Sequence, residues 1–160
     1  MELKKTTKLF RAVGADLPTN QKLLQAAKNA ADNAYAPYSG FAVGAAVETL
    51  DGRIFVGANM ENASYGLTIC AEVGALQAAS TAGALNMVRR IAIVGGPKDA
   101  TKQHHKPIAP CGRCRQLIAE AAMVGGSEIE VLFADLNLRA IERRTISELL
   151  PHSFGASDLD

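Results

Sequence analysis

The sequence predicts a single α/β domain in which helices cover a mixed sheet, because apolar strand segments alternate with helical ones. Two strand-like segments surround Asp51-Gly52, a strong hairpin signal, whereas the later strands are separated by helical stretches. The chain has 160 residues, enough for one domain with a sizeable core, and no linker divides it. We therefore expect a polar N-terminal arm over residues 1–16 and one domain over residues 17–160.

The first half of the chain alternates one helix, a hairpin and a second helix. Leucine and alanine recur at helical spacing over residues 18–35, and Pro37 ends that pattern. Residues 41–50 and 53–59 are predicted as the two strands of the hairpin. An alanine-rich helix follows over residues 70–82, where Gly83 is placed to cap it.

The second half of the chain completes the sheet. A short apolar strand is predicted over residues 90–94, followed by a polar loop over residues 98–106. A second buried helix is expected over residues 111–123, then strands over residues 129–134 and 138–143 and a short helix over residues 146–150. Strands separated by helices of this length imply a layered sheet with an antiparallel hairpin at one side.

Composition excludes several classes of protein. The 17 Lys and Arg residues balance 16 Asp and Glu residues, so the chain lacks the basic surplus typical of proteins that bind nucleic acid. It has no run of 18 apolar residues and no apolar segment after its N-terminal lysines, which predicts a cytoplasmic protein without a membrane span. In a reducing compartment, three cysteines indicate metal binding or catalysis rather than disulfides.

The three cysteines have the spacing of a zinc site. Cys111 and Cys114 lie one turn apart at the start of a helix, after Pro110, and Cys70 opens another helix, where free N–H groups favour thiolates. Three thiolates leave a fourth position open, as catalytic zinc sites do. A fourth protein ligand would have to be a histidine: His104, His105 or His152. We expect these histidines to be exposed instead, although a closed, non-enzymatic zinc module remains an alternative.

The position of Glu72 indicates that the metal site is catalytic. Glu72 follows Cys70 by two residues, so its carboxylate can reach a water on the metal without binding the metal itself. The alternative is a helix N-terminal glutamate that only favours the dipole. Cys-Ala-Glu followed by Pro-Cys-x-x-Cys is, however, the signature of zinc-dependent cytosine and adenine deaminases, with the glutamate as general acid and base.

Several spaced motifs extend this pattern, and together they resemble the small, homo-oligomeric cytidine deaminases from about residue 24 to the C-terminus. In the family's order they are residues 36–41, 43–46, 52–55, 59–67, 70–72, 110–116, 148–151 and 154–155. The resemblance implies a three-layer α/β/α sandwich around a mixed, mainly five-stranded sheet. It also implies hydrolytic deamination of cytidine and deoxycytidine to uridine and deoxyuridine, with release of ammonia.

The resemblance further implies how a nucleoside would be held. Asn59 and Glu61 match residues that bind the ribose hydroxyls, and the period of two along a strand points both side chains the same way. Phe41 matches an aromatic residue near the pyrimidine ring. A polar strand end and ordinary core packing are the respective alternatives for these positions.

Four further residues match substrate-binding positions of the family. Ala71 lies between the first cysteine and the glutamate, and Phe154 matches an aromatic residue that a neighbouring subunit supplies. Ala63 and Tyr65 match a segment that meets the site of an adjacent subunit. The resemblance therefore implies a homotetramer whose active sites are shared between subunits.

One residue departs from the family's pattern. An arginine often follows Cys-Ala-Glu in the family, and this chain has Val73 there. Three thiolates give a zinc site a net negative charge, which helix N-terminal amides or the cations of Arg113 and Arg115 would have to offset. The departure leaves open a modified cytosine nucleoside or a blasticidin-like antibiotic as substrate, although the Asn59 and Glu61 pair favours free nucleosides. Neutral charge disfavours a polynucleotide substrate.

Overall fold

The computed structural model of the chain describes residues 17–102 and 104–159. These residues form a five-stranded sheet with helices on both faces, as the sequence predicts. The predicted arm over residues 1–16 lies outside the described residues. None of the helices in the described part is long and apolar enough to cross a membrane.

The sheet is mixed, and its strands lie in the order β2-β1-β3-β4-β5. The hairpin pairs β1 with β2, β1 also pairs antiparallel with β3, and β3 and β4 form the parallel pair. β5 is an antiparallel edge strand beside β4. The strand bounds are β1 Phe41–Thr49, β2 Ile54–Ala58, β3 Val88–Pro97, β4 Glu130–Asp135 and β5 Ile141–Thr145.

The helices divide between the two faces of the sheet because alternate strand residues point in opposite directions. On one face, α1 buries Leu23 and Ala27 against Ala46 of β1. On the other face, α2 and α3 pack over a larger core that includes Ala45 and Val47 of the same strand. The helix bounds are α1 Leu17–Ala31, α2 Ala71–Thr81, α3 Gly112–Gly125 and the single turn α4 Ile146–Leu149.

Two glycines let helices approach the sheet closely. A Cβ on Gly44 would clash with the Ala27 carbonyl of α1, and a Cβ on Gly57 would lie 2.5 Å from the Ala75 nitrogen of α2. Only glycine allows backbone to pack against backbone at these distances. The contact at Gly57 presses the first turn of α2 against β2.

Several predicted boundaries differ from the structure, among them that of β3, which covers Val88–Pro97 rather than residues 90–94. The first helix ends at Ala31, before the predicted residue 35, because Tyr35 donates its backbone N–H to Asn59 beyond the end of β2, at 3.0 Å. The last strand begins at Ile141 rather than residue 138, because Leu138 takes a positive φ of 56°. The turn around Leu138 is held by Asp135, whose carboxylate accepts backbone N–H groups within it.

Candidate functional site

The three cysteines meet where two helices begin. Cys70 and Cys111 are the N-caps of α2 and α3, and Cys114 lies buried in the first turn of α3. Neither N-cap thiol is used in a side-chain capping hydrogen bond. The Sγ atoms of the three cysteines all lie within 4.8 Å of one another. The two helix starts thus bring Cys70 together with Cys111 and Cys114, which follow it by 41 and 44 positions in the sequence.

The geometry of this cluster fits zinc. Tetrahedral zinc with Zn–S bonds of about 2.3 Å separates its sulfur ligands by about 3.8 Å, within the observed limit. A hydrogen bond from the Cys114 thiol lowers the pKa of Cys70 to about 6, and the same contact raises the pKa of Cys114. Within the described residues no histidine joins the group, so the cluster offers three sulfur ligands to a metal.

Glu72 is the acidic residue of this centre. It lies in the first turn of α2 with 4% of its surface exposed, and its carboxylate accepts a hydrogen bond from the Cys114 thiol. Burial raises the pKa of Glu72 and outweighs the hydrogen bonds to the backbone and to Cys114, which lower it. A carboxyl group that is buried beside three sulfurs can exchange protons with whatever occupies the fourth position.

Asn59 lies just beyond β2 and is hydrogen-bonded to the start of β1. Its Oδ1 accepts the Val43 N–H at 2.8 Å, and its Nδ2 donates to the Phe41 carbonyl at 3.0 Å. The two bonds fix the amide beside the first residue of β1. Because an amide carries two N–H donors, one donor of Asn59 stays available for a ligand.

Glu61 is held by the turn that precedes β1. Its Oε2 accepts the backbone N–H groups of Tyr38 at 2.9 Å and Ser39 at 3.2 Å. The Ser39 hydroxyl also bonds to this carboxylate, and these bonds lower the pKa of Glu61, so it is ionised near neutral pH. A cavity of about 250 Å³ opens beside it, lined by Tyr38, Ser39, Glu61, Tyr65 and Thr68.

The matched family agrees with this arrangement of three sulfurs and one carboxylate. The sequence profile described as "Cytidine and deoxycytidylate deaminase zinc-binding region" matches residues 17–125, which include all three cysteines and Glu72. The cytidine deaminase of Halalkalibacterium halodurans is 43% identical over 88% of this chain and 97% of its own length. That of Mycobacterium tuberculosis is 42% identical over 83% of this chain and 87% of its own.

The chain belongs to the cytidine deaminase family.

Solved structures of cytidine deaminases share the fold. The Burkholderia pseudomallei enzyme matches with a TM-score of 0.73 and 44% identity, over 84% of this chain and 98% of that one. The Mycobacterium leprae enzyme matches with a TM-score of 0.63 and 37% identity, over 82% of this chain and 97% of that one. Zinc is the cofactor of this family, and the cluster of Cys70, Cys111 and Cys114 is the group in this member that could hold it.

The remaining predicted site residues differ in how far they are buried within the single chain. Phe41 is half-buried at the start of β1, and Ala71 is fully buried at the start of α2. Tyr65 and Phe154 are exposed, with 74% and 57% of their surfaces accessible, and Ala63 is exposed too. The last three side chains are therefore available to a neighbouring molecule rather than packed within the chain.

Two residues, Ser39 and Gln116, support the predicted site residues, although the sequence alone assigns neither an individual role. Ser39 bonds to Glu61 and accepts the Phe41 N–H at 3.0 Å, which joins two predicted site residues. Gln116 donates to the Phe154 carbonyl at 2.7 Å and tethers the C-terminal segment to α3. Both lie within the matching motifs, so the signal was present, but their partners are 22 and 38 positions away and only the fold reveals them.

Two arginines near the sulfur cluster could provide the positive charge that an arginine at position 73 would carry. The Arg115 guanidinium donates to the carbonyls of Pro110 at 2.9 Å and Leu149 at 3.1 Å, so it joins the start of α3 to α4. The positive charge of Arg113 is among the factors that lower the pKa of Cys70, after the hydrogen bonds from the other thiols. Arg113 is therefore the cation that this structure couples to the sulfur cluster.

Proposed function

We propose that this chain catalyses the zinc-dependent hydrolytic deamination of cytidine and deoxycytidine, giving uridine or deoxyuridine and ammonia. The observation that carries the proposal is the buried Glu72 carboxylate in contact with the three-cysteine cluster. A structural zinc site needs no such acid. The relatives named cytidine deaminase, which this chain matches over most of its length, support the same reaction.

The role of Glu72 follows from its place beside the cluster. When bound, zinc supplies the Lewis acidity that makes water a nucleophile near neutral pH. Glu72 gives a proton to N3 of the pyrimidine, which makes C4 more electrophilic, and oxygen from water adds to C4. Glu72 then carries the second proton of that water to the amino group, and the C4–N bond breaks as ammonia leaves. One carboxyl group thus serves as acid and base.

We assign nucleoside binding to the residues around the start of β1. The second N–H of Asn59 and the carboxylate of Glu61 can hydrogen-bond to ribose hydroxyls, as a donor and an ionised acceptor held in fixed positions. Phe41 supplies an apolar ring for the pyrimidine next to them. Ala71 borders the same site at the start of α2.

We also propose that the enzyme is a homotetramer in which neighbouring subunits complete each site. Phe154 is largely exposed although Gln116 fixes its backbone, and Tyr65 packs on Tyr38 at 5.9 Å between ring centroids, beside Glu61. Rigidly held aromatic side chains that face outward are suited to enter a neighbour's site. Ala63 belongs to the same exposed segment as Tyr65. A reducing cytoplasm, which keeps three ligand thiols free, is the compartment we assign.

The proposal is tested by an ultraviolet assay of the purified protein with cytidine and deoxycytidine, together with a zinc count. We expect about one zinc per chain and turnover of both nucleosides. Glu72→Gln should keep the zinc and lose at least about a hundredfold in kcat, the usual contribution of a general acid or base. A protein with full zinc content and no turnover of any pyrimidine nucleoside contradicts the proposal.

The same assay separates the alternative substrates. Blasticidin and single-stranded DNA are offered at matched concentrations, and kcat/KM is compared with that for cytidine. A higher kcat/KM for blasticidin, or turnover of DNA alone, would show that the substrate is another cytosine compound. The proposed role of Glu72 would be unchanged.

A further inference from the structure

The loop between β3 and α3 is attached to the elements that form the nucleoside site. At its start, Lys98 donates its backbone N–H to the Gly40 carbonyl at 2.8 Å and its Nζ to the Ala34 carbonyl at 2.5 Å. Near its end, the Ile108 N–H reaches the Ala134 carbonyl at 3.5 Å. Both ends of residues 98–110 are thus fixed before the chain reaches the ligand Cys111.

From the middle of this loop, His104 reaches Phe41. The two rings meet edge to face, with centroids 5.8 Å apart and planes at 87°. The backbone of Phe41 is already fixed, because its carbonyl accepts from Asn59 and its N–H donates to Ser39. These bonds do not restrict the rotation of the ring, whereas a perpendicular imidazole against it does.

The His104 imidazole meets Phe41 through its ring. Its Nε2 is buried and has no hydrogen-bond partner among the residues that the structure describes. A nitrogen that is covered by protein does not face an open cleft, so it is not available to a bound nucleoside in this arrangement. An unpaired buried nitrogen also makes the site more costly in free energy than an apolar ring of the same shape would.

We propose that His104 is a positioning residue for nucleoside binding: it fixes the Phe41 ring in the orientation that receives the pyrimidine. This proposal rests on the proposed function, because it takes Phe41 as the surface against which the base packs. Among the described residues, the sulfur cluster includes no histidine, so the effect of His104 falls on nucleoside affinity. A loop residue outside the deaminase motifs thereby tunes the site.

The test compares KM and kcat for cytidine among three loop variants with matched zinc content. His104→Ala removes the ring and should raise KM about threefold to tenfold, the range of an aromatic pair, while kcat stays within about twofold. His104→Phe keeps the ring without the nitrogen and should restore KM to within about twofold, with a thermal midpoint equal to or above that of the wild type. The exposed residue Lys106 of the same loop provides the control, since Lys106→Ala should leave KM and kcat unchanged.

A double-mutant cycle shows whether His104 acts through Phe41. If it does, His104→Ala should change KM in the wild-type background and have no further effect in a Phe41→Ala background. Additive effects, a wild-type KM in His104→Ala, or failure of His104→Phe to restore KM would each overturn the positioning role while the deaminase activity stands. Inactivity of the wild-type enzyme on cytidine overturns both proposals.

Discussion

At the residue scale, the proposed ribose-binding pair combines a structural and a ligand-binding use of the same side chains. Glu61 accepts the Tyr38 and Ser39 N–H groups at Oε2, and Asn59 donates one N–H to Phe41, yet the carboxylate can accept further hydrogen bonds and the amide has a second N–H. The groups that hold the turn therefore also orient the groups left for the ligand. A mutation of either residue can therefore affect ligand binding directly or through the turn, and the two effects have to be separated by experiment.

Removal of the Glu61 charge should weaken nucleoside binding through the ribose hydroxyls. Glu61→Gln keeps the shape but replaces a charged acceptor by a neutral amide, so KM for cytidine should rise about tenfold or more. The wild type should show a comparable loss with 2′,3′-dideoxycytidine, which lacks the hydroxyls. Steady-state kinetics of both proteins with both substrates measure the two effects.

The hydroxyl-free substrate is also the control for this variant. Glu61→Gln should handle 2′,3′-dideoxycytidine as the wild type does, because the contact is already missing. A further loss of the same size on that substrate would show that Glu61 acts by holding the turn at Tyr38 and Ser39 alone.

The sequence could predict these residues but not their partners. The spacing of Cys70, Glu72 and the Pro-Cys-x-x-Cys segment indicates a zinc deaminase because metal chemistry tolerates few residue types. The contact of His104 with Phe41 could not be predicted, since the loop that carries it is polar and aperiodic. Long-range contacts of irregular segments depend on where the fold places both ends, which no local pattern records.

At the level of elements, the contact of β2 with α2 links the sheet to the helix that carries Glu72. A Cβ on Gly57 would clash with the Ala71 carbonyl and approach Ala75, so Gly57→Ala must push away the turn that carries Cys70 and Glu72. We expect a loss of stability of about 1–3 kcal/mol and a lower kcat/KM even at full zinc content. Thermal unfolding and kinetics measure the two losses.

Gly66→Ala is the matched control for the stability measurement, because nothing lies within 4 Å of a Cβ at that position. Its thermal midpoint should equal that of the wild type. If Gly57→Ala behaved in the same way, the close approach of α2 to β2 would not constrain the helix.

The turn between β4 and β5 should give stability that depends on pH. Burial would raise the pKa of Asp135, but the N–H groups of Ala140, Arg139 and Asn137 outweigh it and hold that pKa below its usual range. A lowered folded-state pKa means that the carboxylate stabilises the fold above its unfolded-state pKa of about 3.9, and that this contribution is lost as pH falls through the lower folded value.

Asp135→Asn tests this linkage because it keeps the shape and removes the charge. At about pH 7 the variant should be less stable by about 1–3 kcal/mol, the range for hydrogen bonds to a charged group. Urea unfolding of both proteins from about pH 7 to about pH 3 should show the difference shrinking towards the acid end. A difference that stays constant with pH would mean that the charge of Asp135 contributes nothing to the turn.

The same turn explains why the last strand was misplaced by sequence reasoning. Residues 138–143 are predicted as a strand, but Asp135 accepts the backbone N–H groups of Arg139 and Ala140, which are then not available for pairing with β4. Leu138 also takes a left-handed conformation. The hairpin around Asp51-Gly52 was predictable because its signal is local, with Gly52 at a φ of 82°. The turn at Asp135 is also local, since its acceptor and donors lie two to five residues apart, but its sequence lacks the Asp-Gly pair that marks the hairpin.

At the scale of the whole molecule, the topology brings all the chemistry to one end of the sheet. β1 begins where β3 ends, with Phe41 opposite Pro97, and β2 ends beside them. The helices α2 and α3 start at that same end, so their N-caps place Cys70 and Cys111 there as well. Ligand sites of α/β folds form at such strand ends and helix starts. The single chain leaves this end open, with Phe154 and Tyr65 facing outward.

A shared active site predicts that two defective subunits can restore each other. Glu72→Gln removes the proton carrier from its own site, and Phe154→Ala removes the aromatic ring that we assign to a neighbour's site, at a cost of about tenfold or more in kcat/KM. Subunits of both kinds, co-expressed with different affinity tags and purified as mixed tetramers, should regain wild-type activity at about a quarter of the sites, those with an intact Glu72 and an intact neighbouring Phe154. If each Phe154 instead serves its own subunit, the mixture should show only the average activity of the two variants, because every site then carries one defect.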